Sequence, residues 1–385
     1  MKKIRFSIFT VFPTFLILCC SCRKQLSITP LKEKDADVSV SRSCDTTFRA
    51  DYTYNLNVIY FVPNDLQLDS AYHKRASKYL LDGQEFYRSW MNHWGFGNKS
   101  FGLIKDTAHK LVKLSVITGK KPASGYSYST SSADAIIAEV NEYFAVHPSD
   151  RTSRKYLIIT YSTSHETVSA PFFGYGNFCF AVDYPGMDLD ADAGRTTYVG
   201  GMMHELGHGL GLPHDGGLRS VNTQLGTSLM GTGNGTYGRS ATYITKAGCA
   251  TLNNCQVFNG PIRSDWYESV KDTIKHLHAT YLNGNVVVSG TFANNSAASV
   301  NYLNFYNNPG NSGLLASGYK SSAWAAPVIG TDSFNISMPY SDFIVQQDTS
   351  IYSLYITGLH ENGVSNYTKY NYKIENGVPV INIDF

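Results

Sequence analysis

The segment HELGHGLGLPHD, from His204 to Asp215, constrains the local fold more than any other part of this chain. If the segment begins as a helix, His204 and His208 are four residues apart and project from one face, so their ring nitrogens can converge. Gly211 tolerates the positive φ of a helix C-terminus, so the chain can turn there and bring His214 back toward the first two rings. The spacing therefore predicts a helix, a sharp turn and three converging imidazoles.

Three imidazoles around one open position are the donor set of a catalytic zinc ion, because structural zinc sites usually have four protein ligands, mostly cysteines. Zinc held in this way lowers the pKa of its water to about 7 and can polarise a scissile carbonyl. Glu205 follows the first histidine, where its carboxylate can act as a general base on that water. A packing helix that happens to carry histidines is a weak alternative, because Leu206 and Leu210 already supply its apolar positions. The segment predicts a zinc-dependent hydrolase.

A second motif downstream, SLMG at Ser228–Gly231, makes the histidine motif more specific. Together the two resemble the metzincin metallopeptidases, in which a Met-turn lies beneath the metal, and Asp215 after the third histidine is adamalysin-like. The whole chain is similar to the zinc-dependent metalloproteinase lipoproteins of Bacteroidetes-type bacteria. The resemblance implies that Glu205 is base and acid, that Asp215 anchors its loop to the Met-turn and that Met230 supports the histidines. It implies the ligands His204, His208 and His214, with Gly211 as structural support.

One branch of the metzincins uses a tyrosine two residues after the methionine as a metal ligand. Here that position is Thr232, so a tyrosine ligand is not expected. Tyr237 is close enough in sequence to be a candidate oxyanion partner, although packing is the simpler explanation in a chain with 27 tyrosines. Both interpretations of Tyr237 stay open at the level of sequence.

The N-terminus has the features of a targeting segment. Three cationic residues precede an apolar run, Phe6–Leu18, that is too short to span a membrane comfortably. The small Ser21 before Cys22 fits a bacterial lipoprotein cleavage site, with Cys22 as the lipidated residue and Cys20 as the second choice. An ordinary signal peptide is the alternative. We therefore expect an extracytoplasmic protein that is held at a bacterial membrane, the outer membrane or cell surface by preference, through a lipid anchor only.

Four further cysteines follow the targeting segment. In an oxidising compartment an even number indicates two disulfides, and the short spacing favours Cys249 with Cys255, which leaves Cys44 with Cys179. Some metzincins are kept latent by an upstream cysteine thiolate on the zinc, but the residues around Cys44 have no further match to such a switch. Two disulfides are the prediction, with their connectivity open.

The length and the net charge of the chain limit its domain organisation and its expected binding partners. A chain of 385 residues that is 43% hydrophobic can bury a substantial core and is expected to hold two domains. A net charge of +2 gives no reason to expect nucleic acid, so the expected partner is a protein or peptide substrate, with glycoproteins included. The predicted parts are a lipoprotein signal peptide at 1–22, a tether at 23–50, a catalytic domain at 51–272 and a β-sandwich at 273–385.

Apolar periodicity predicts an α+β catalytic domain, a mixed twisted sheet with helices, followed by an all-β sandwich. The predicted strands of the first part are 55–62, 111–117, 156–161 and an edge strand at 176–184. Its predicted helices are 69–94, 133–146, the histidine helix at 196–209, and 245–258. Short β-rich runs after residue 274, at 286–288, 300–306, 334–338, 351–356 and 380–385, predict the sandwich.

The sequence leaves two further points open, a Ca²⁺ site and the class of function. The alternating carboxylates of Asp188–Gly194 could bind Ca²⁺, although the glycine is one position late for an EF-hand loop and a solvated acidic loop is the simpler explanation. The alternative to a protease is a surface adhesin or glycan-binding lipoprotein with a non-catalytic zinc site. Within the enzyme class, a glycoprotein-directed protease could take its selectivity from the C-terminal domain.

Overall fold

The computed structural model describes residues 47–126, 130–163, 172–187, 198–310, 317–346 and 351–385. The predicted signal peptide, Cys20, Cys22, Cys44 and the Asp188–Gly194 loop lie outside these ranges. Within the described residues, helices are too short or too polar to cross a bilayer.

The part of the chain before residue 260 contains both strands and helices. The strands are β1 (Arg49–Ala50), β2 (Asn57–Val62), β3 (Ile104–Asp106), β4 (Leu111–Val112), β5 (Ser115–Thr118), β6 (Tyr156–Tyr161), β7 (Phe172–Tyr175), β8 (Phe178–Asp183), β9 (Thr227–Ser228) and β10 (Thr242–Tyr243). The helices are α1 (Tyr72–His93), α2 (Thr130–Val146), α3 (Gly200–Leu210), α4 (Arg219–Leu225) and α5 (Lys246–Asn253).

Five of these strands form the main sheet, in the order β5-β2-β6-β8-β7. Neighbouring strands are parallel except for β7, which pairs antiparallel with β8 at the edge. Along β2, Val58 and Tyr60 belong to a core shared with α1 and α3, whereas Ile59 and Phe61 face a second core under α2. Burial on both faces explains why the central strands are continuous apolar runs.

A buried ion-pair cluster lies at the end of β8. The Arg75 guanidinium of α1 donates to both oxygens of the fully buried Asp183, at 2.6 and 2.8 Å, and to both oxygens of Asp69 at 2.8 and 3.0 Å. The hydroxyl of Tyr60 donates to the same Asp183 carboxylate. A charged group at this depth needs such partners, so Arg75 ties α1 to the carboxyl end of the sheet.

The C-terminal sheets, as we name the two antiparallel sheets of residues 272–384, form the rest of the molecule. Their strands are β11 (Asp272–Leu282), β12 (Asn285–Asn294), β13 (Val300–Pro309), β14 (Ser322–Pro327), β15 (Ser333–Pro339), β16 (Ile351–His360), β17 (Ser365–Glu375), β18 (Val378–Val380) and β19 (Asn382–Asp384). One sheet has the order β15-β12-β11-β19 and the other β14-β13-β16-β17-β18. Both sheets contribute to one hydrophobic core, for example through Val288, Phe305 and Phe334.

The C-terminal sheets pack directly on α5. The Asn304 amide of β13 is buried and donates to the Ala247 carbonyl at 2.9 Å and to the Thr251 hydroxyl at 3.0 Å. The amides of Asn254 and Asn301 exchange two hydrogen bonds at 2.8 and 2.9 Å. Buried side-chain hydrogen bonds of this kind fix the relative position of the helix and the sheet.

The α+β character that the sequence predicts is confirmed, whereas its assignment as a metzincin domain plus a sandwich stays a prediction. Three details were wrong. The strand predicted at 111–117 is two strands in different sheets, because the chain leaves the β1-β3-β4 sheet at Val112 and enters the main sheet at Ser115. The strand predicted at 176–184 is internal, because β7 covers its outer edge. The helix predicted at 245–258 stops at Asn253 and a 3₁₀ turn, Gln256–Phe258, follows.

The predicted disulfide between Cys249 and Cys255 is also wrong. Both are free, buried thiols, Cys249 within α5 and Cys255 beyond its end. Both thiols belong to the apolar core of the first part of the chain, where burial rather than a disulfide accounts for them. Cys179 is likewise a free buried thiol, against the second predicted pairing, whose other member Cys44 lies outside the described residues.

Candidate metal centre

Helix α3 carries the first two histidines and ends as the sequence predicts. Gly211 has φ of 109°, and the N–H groups of Gly211 and Leu212 bond to the carbonyls of His208 and Gly207, each at 2.9 Å. This is the Schellman arrangement, with glycine in the left-handed position that it tolerates best. The helix therefore ends at Leu210, and at Gly211 the chain reverses direction toward the last turn of the helix.

The turn brings the third histidine to the other two. The ligand atoms available on His204, His208 and His214 all lie within 4.8 Å of one another, and Nε2 of His208 and Nε2 of His214 are 2.9 Å apart. We call this group of three Nε2 atoms the metal centre. The prediction that the motif gathers three imidazoles is confirmed by their positions.

A backbone carbonyl holds each ring by its other nitrogen. Nδ1 lies 2.7 Å from the Leu229 oxygen in His204, 2.8 Å from the Leu212 oxygen in His208 and 2.9 Å from the Ser317 oxygen in His214. A carbonyl only accepts, so each Nδ1 carries the proton and each Nε2 presents a lone pair. Nε2 of His204 is buried with no hydrogen-bond partner among the described residues. Three inward lone pairs, one of them orphaned, fit a zinc ion with an open fourth position.

Burial keeps the three rings neutral. Burial, with the neighbouring His208 as the second cause, lowers the pKa of His204 to about 3 and that of His214 to about 4. Burial lowers the pKa of His208 as well. Neutral imidazole is the form that coordinates a metal, so no proton has to be displaced from these rings at neutral pH.

Glu205 follows the first histidine on α3, is half-buried, and is approached by strand β7. Burial raises the pKa of its carboxyl to about 7, and the Gly174 N–H, which bonds to it, offsets a part of this increase. A Cβ atom at Gly174 would lie 3.2 Å from Glu205 Oε2 and 3.3 Å from Cβ of His208. A side chain at this position would force its neighbours to move, so glycine suits the close approach of the edge strand. Sequence analysis missed Gly174, and the glycine within the strand run FFGY was the available signal.

Asp215 connects three segments beneath the third histidine. Its carboxylate is fully buried and accepts hydrogen bonds from the Ser228 hydroxyl at 3.1 Å, the Thr245 hydroxyl at 2.9 Å and the Gly217 N–H at 3.1 Å. Burial raises its pKa to about 6, although these hydrogen bonds act in the opposite direction. Ser228 begins the SLMG motif, so the contact joins the two motifs physically.

Met230 lies under α3. A Cβ atom at Gly207 would come 2.5 Å from the Met230 sulfur, so the glycine makes room for it. The N–H of Asp215 donates to the Met230 carbonyl at 3.2 Å, and the preceding Leu229 carbonyl holds His204. The segment therefore holds His204 through the Leu229 carbonyl, and its thioether packs against α3 at Gly207.

The tyrosine near the metal centre is not the one that the sequence pointed to. Tyr237 is buried, and its hydroxyl donates to Asp82 of α1 at 2.8 Å, which supports the packing alternative. Instead, the ring of Tyr319 stacks on His214, with centroids 3.7 Å apart and planes at 26°. Ser317 and Tyr319 come from the connection between β13 and β14, more than a hundred residues beyond the third histidine. No local sequence pattern around these two residues indicates that they contact the metal centre.

Together, three converging neutral imidazoles and the Glu205 carboxylate, which follows the first of them on α3, fit the active centre of a zinc metallopeptidase. No protein-family model matches the chain and no curated protein is similar to it.

Solved structures are similar to nearly the whole of the described chain. Wild-type OgpA from Akkermansia muciniphila is 28% identical with a TM-score of 0.79, covering 86% of this chain and 96% of that one. A second crystal form of the same protein is 28% identical with a TM-score of 0.78, covering 86% and 95%. Catalytically inactive OgpA in complex with an O-glycopeptide substrate, glycodrosocin, is 29% identical with a TM-score of 0.78, covering 84% and 93%. The chain shares the fold of OgpA.

Proposed function

We propose that this protein is a zinc-dependent endopeptidase that cleaves O-glycosylated peptides. The observation that carries the proposal is the metal centre, in which three Nε2 atoms converge beside Glu205. The similarity to OgpA across at least 84% of the chain supports it, because one of those structures holds an O-glycopeptide substrate. We further propose that the residues of the resemblance act as in metzincins.

Each residue of the site then has a role. His204, His208 and His214 would hold a zinc ion, which, when bound, polarises the scissile carbonyl and acidifies a water molecule. Glu205 takes the proton of that water and passes it to the leaving amine. A carboxyl with a pKa near 7 suits both steps, since it can be deprotonated or protonated at neutral pH. The Gly174 N–H keeps the carboxylate in place.

Strand β7 is the surface along which we expect the peptide to lie. It forms the edge of the main sheet, and within the described part of the chain no strand pairs with its outer side. Its Gly174 lies next to Glu205, so a peptide that pairs with this edge by main-chain hydrogen bonds passes the metal centre. Such pairing recognises the backbone, and therefore leaves selectivity to the side chains and to any glycan.

The N-terminal sequence supports a location outside the cytoplasm. We propose that the targeting segment is removed and that Cys22 carries the lipid that anchors the protein to the membrane. A protease in that position meets extracellular glycoproteins rather than cytoplasmic proteins.

The test is cleavage of a matched pair of peptides by the zinc-loaded protein, followed by mass spectrometry. The two peptides have one sequence and differ only in an O-glycan on a single threonine. We expect cleavage of the glycosylated peptide and slower cleavage, or none, of the bare one. Equal cleavage would contradict the substrate class but not the peptidase. One bound zinc per chain without cleavage of either peptide, or of a mixed peptide library, would instead favour a binding lipoprotein.

A further inference from the structure

We infer that the C-terminal sheets complete the metal centre, and that Tyr319 is a positioning residue for the third ligand. The segment concerned is Ser317–Ser321, which leads into β14 and which we call the clamp segment. The inference rests on the proposed function, because it takes His214 as a zinc ligand.

The three histidines differ in what holds them. His204 and His208 are fixed by helix α3 and by the carbonyls of Leu229 and Leu212. His214 lies beyond the end of that helix, and the carbonyl that holds its Nδ1 is Ser317, 103 residues away, at 2.9 Å. The third ligand therefore takes its orientation from the C-terminal sheets.

The clamp segment contacts His214 on more than one side. The Tyr319 ring covers one face of the imidazole at 3.7 Å and lies 6.0 Å from the His204 ring, nearly parallel to it at 12°. Gly318 has φ of 86°, and a Cβ atom there would lie 3.3 Å from both Cβ and the carbonyl oxygen of His214. A stacked ring and a close backbone leave the imidazole little freedom to rotate.

Backbone contacts tie the clamp segment to the chain just after the ligand. The Gly216 N–H donates to the Ser321 carbonyl at 2.7 Å, and a Cβ atom at Gly216 would come 2.9 Å from the Tyr319 carbonyl. The segment continues directly into β14, which pairs with β13, and an internal hydrogen bond from the Ser321 N–H to the Gly318 carbonyl at 2.8 Å closes its turn. Displacement of the C-terminal sheets would therefore displace His214.

This arrangement predicts coupling between metal binding and the clamp segment. A ring that is held before the metal arrives loses little freedom on binding, so removing its support weakens binding. Residues that orient metal ligands typically change metal affinity about 10- to 100-fold when they are mutated. We expect Tyr319→Ala to raise the zinc dissociation constant within that range, whereas Tyr319→Phe, which keeps the stacked ring, stays near wild type.

The experiment measures the zinc dissociation constant of the full chain by competition with a chromophoric chelator, with no substrate present. The control is Tyr367→Ala, which removes a partly exposed ring from β17 of the same sheets and should leave the zinc affinity unchanged. Thermal unfolding of the metal-free proteins verifies that each variant folds. If Tyr319→Ala does not fold, Gly318→Ala disturbs the same contacts from the backbone side and should weaken zinc in the same way. The absorption spectrum of the cobalt-substituted protein reports the ligand geometry independently and should change in both variants.

The outcomes separate this inference from the proposed function. If the wild type binds one zinc and both Tyr319→Ala and Gly318→Ala bind it equally well with an unchanged cobalt spectrum, the inference is overturned and the peptidase proposal stands. If Tyr319→Phe weakens zinc as much as Tyr319→Ala, the hydroxyl and not the stacked ring is responsible, and the positioning role is wrong. If the wild type binds no zinc, both proposals fail.

Discussion

Replacement of Asp215 should destabilise the protein strongly, because its carboxylate holds three segments together. In Asp215→Ala the hydroxyls of Ser228 and Thr245 and the N–H of Gly217 lose their common acceptor in a fully buried position. A buried donor left without a partner costs about 1–3 kcal/mol. Three such donors, some of which can relax toward other acceptors, give a loss in unfolding free energy of about 3–6 kcal/mol.

Asp215→Asn removes the negative charge but can keep the hydrogen bonds, so it distinguishes the two contributions. The amide oxygen can still accept from two donors, and the Thr245 hydroxyl can rotate to accept from the amide N–H. We therefore expect a smaller loss, about 1–2 kcal/mol, so the order of stability is wild type, Asn, Ala. Thr223→Ala is the control, because this hydroxyl is exposed and bonds only within α4; its effect should stay within about 0.5 kcal/mol.

Urea unfolding of the metal-free proteins, followed by circular dichroism, measures these differences. Chelation of zinc before the measurement removes ligand binding as a source of stability. A loss of less than about 1 kcal/mol for Asp215→Ala would refute the reasoning, since it would mean that the three donors find other partners at no cost.

Three more substitutions test other parts of the structure. Arg75→Met should lower the unfolding free energy by about 3–5 kcal/mol, because it leaves a buried carboxylate without its cationic partner. Arg88→Met, in an exposed ion pair, should lower it by only about 0–1 kcal/mol. Urea unfolding measures both losses, and equal losses would contradict the stabilising role of the buried ion-pair cluster. Gly174→Ala should lower kcat about 10- to 100-fold with zinc content kept, whereas Gly260→Ala, in open space, should not change it. Gly207→Ala should lower the unfolding free energy by about 1–3 kcal/mol, because the added methyl group collides with the Met230 sulfur; an unchanged thermal midpoint would count against close packing there.

The metal centre was predictable because its parts are local. His204, His208 and His214 lie within one helix and one turn, so helical spacing and the freedom of Gly211 determine their convergence. The contact between Asp215 and the SLMG segment was expected from a family resemblance, and the hydrogen bond from the Ser228 hydroxyl to Asp215 is the contact that the structure contains.

Contacts between distant segments were not predictable. The Ser317 carbonyl and the Tyr319 ring reach His214 only because β13 and β14 pack on α5, and no local pattern encodes that docking. The disulfide prediction failed for a related reason, since cysteine counting assumes oxidation, whereas burial of Cys249 and Cys255 in an apolar core is an alternative use of the same residue type.

Some strands that are buried on one face only were also missed. In β17, Tyr372 and Ile374 are buried whereas their neighbours along the strand are exposed, so the sequence SNYTKYNYKIE looks polar. The central strands of the main sheet, buried on both faces, were located within two residues.

Zinc content and peptide turnover, measured on one preparation of Glu205→Gln, test the central claim most directly. The claim requires that the three imidazoles hold the metal and that the neighbouring carboxylate moves the proton. We expect the variant to retain one zinc per chain with the wild-type affinity and to lose glycopeptide cleavage by at least about 100-fold. Cleavage at the wild-type rate by the zinc-loaded variant would contradict the assignment of Glu205 as the base.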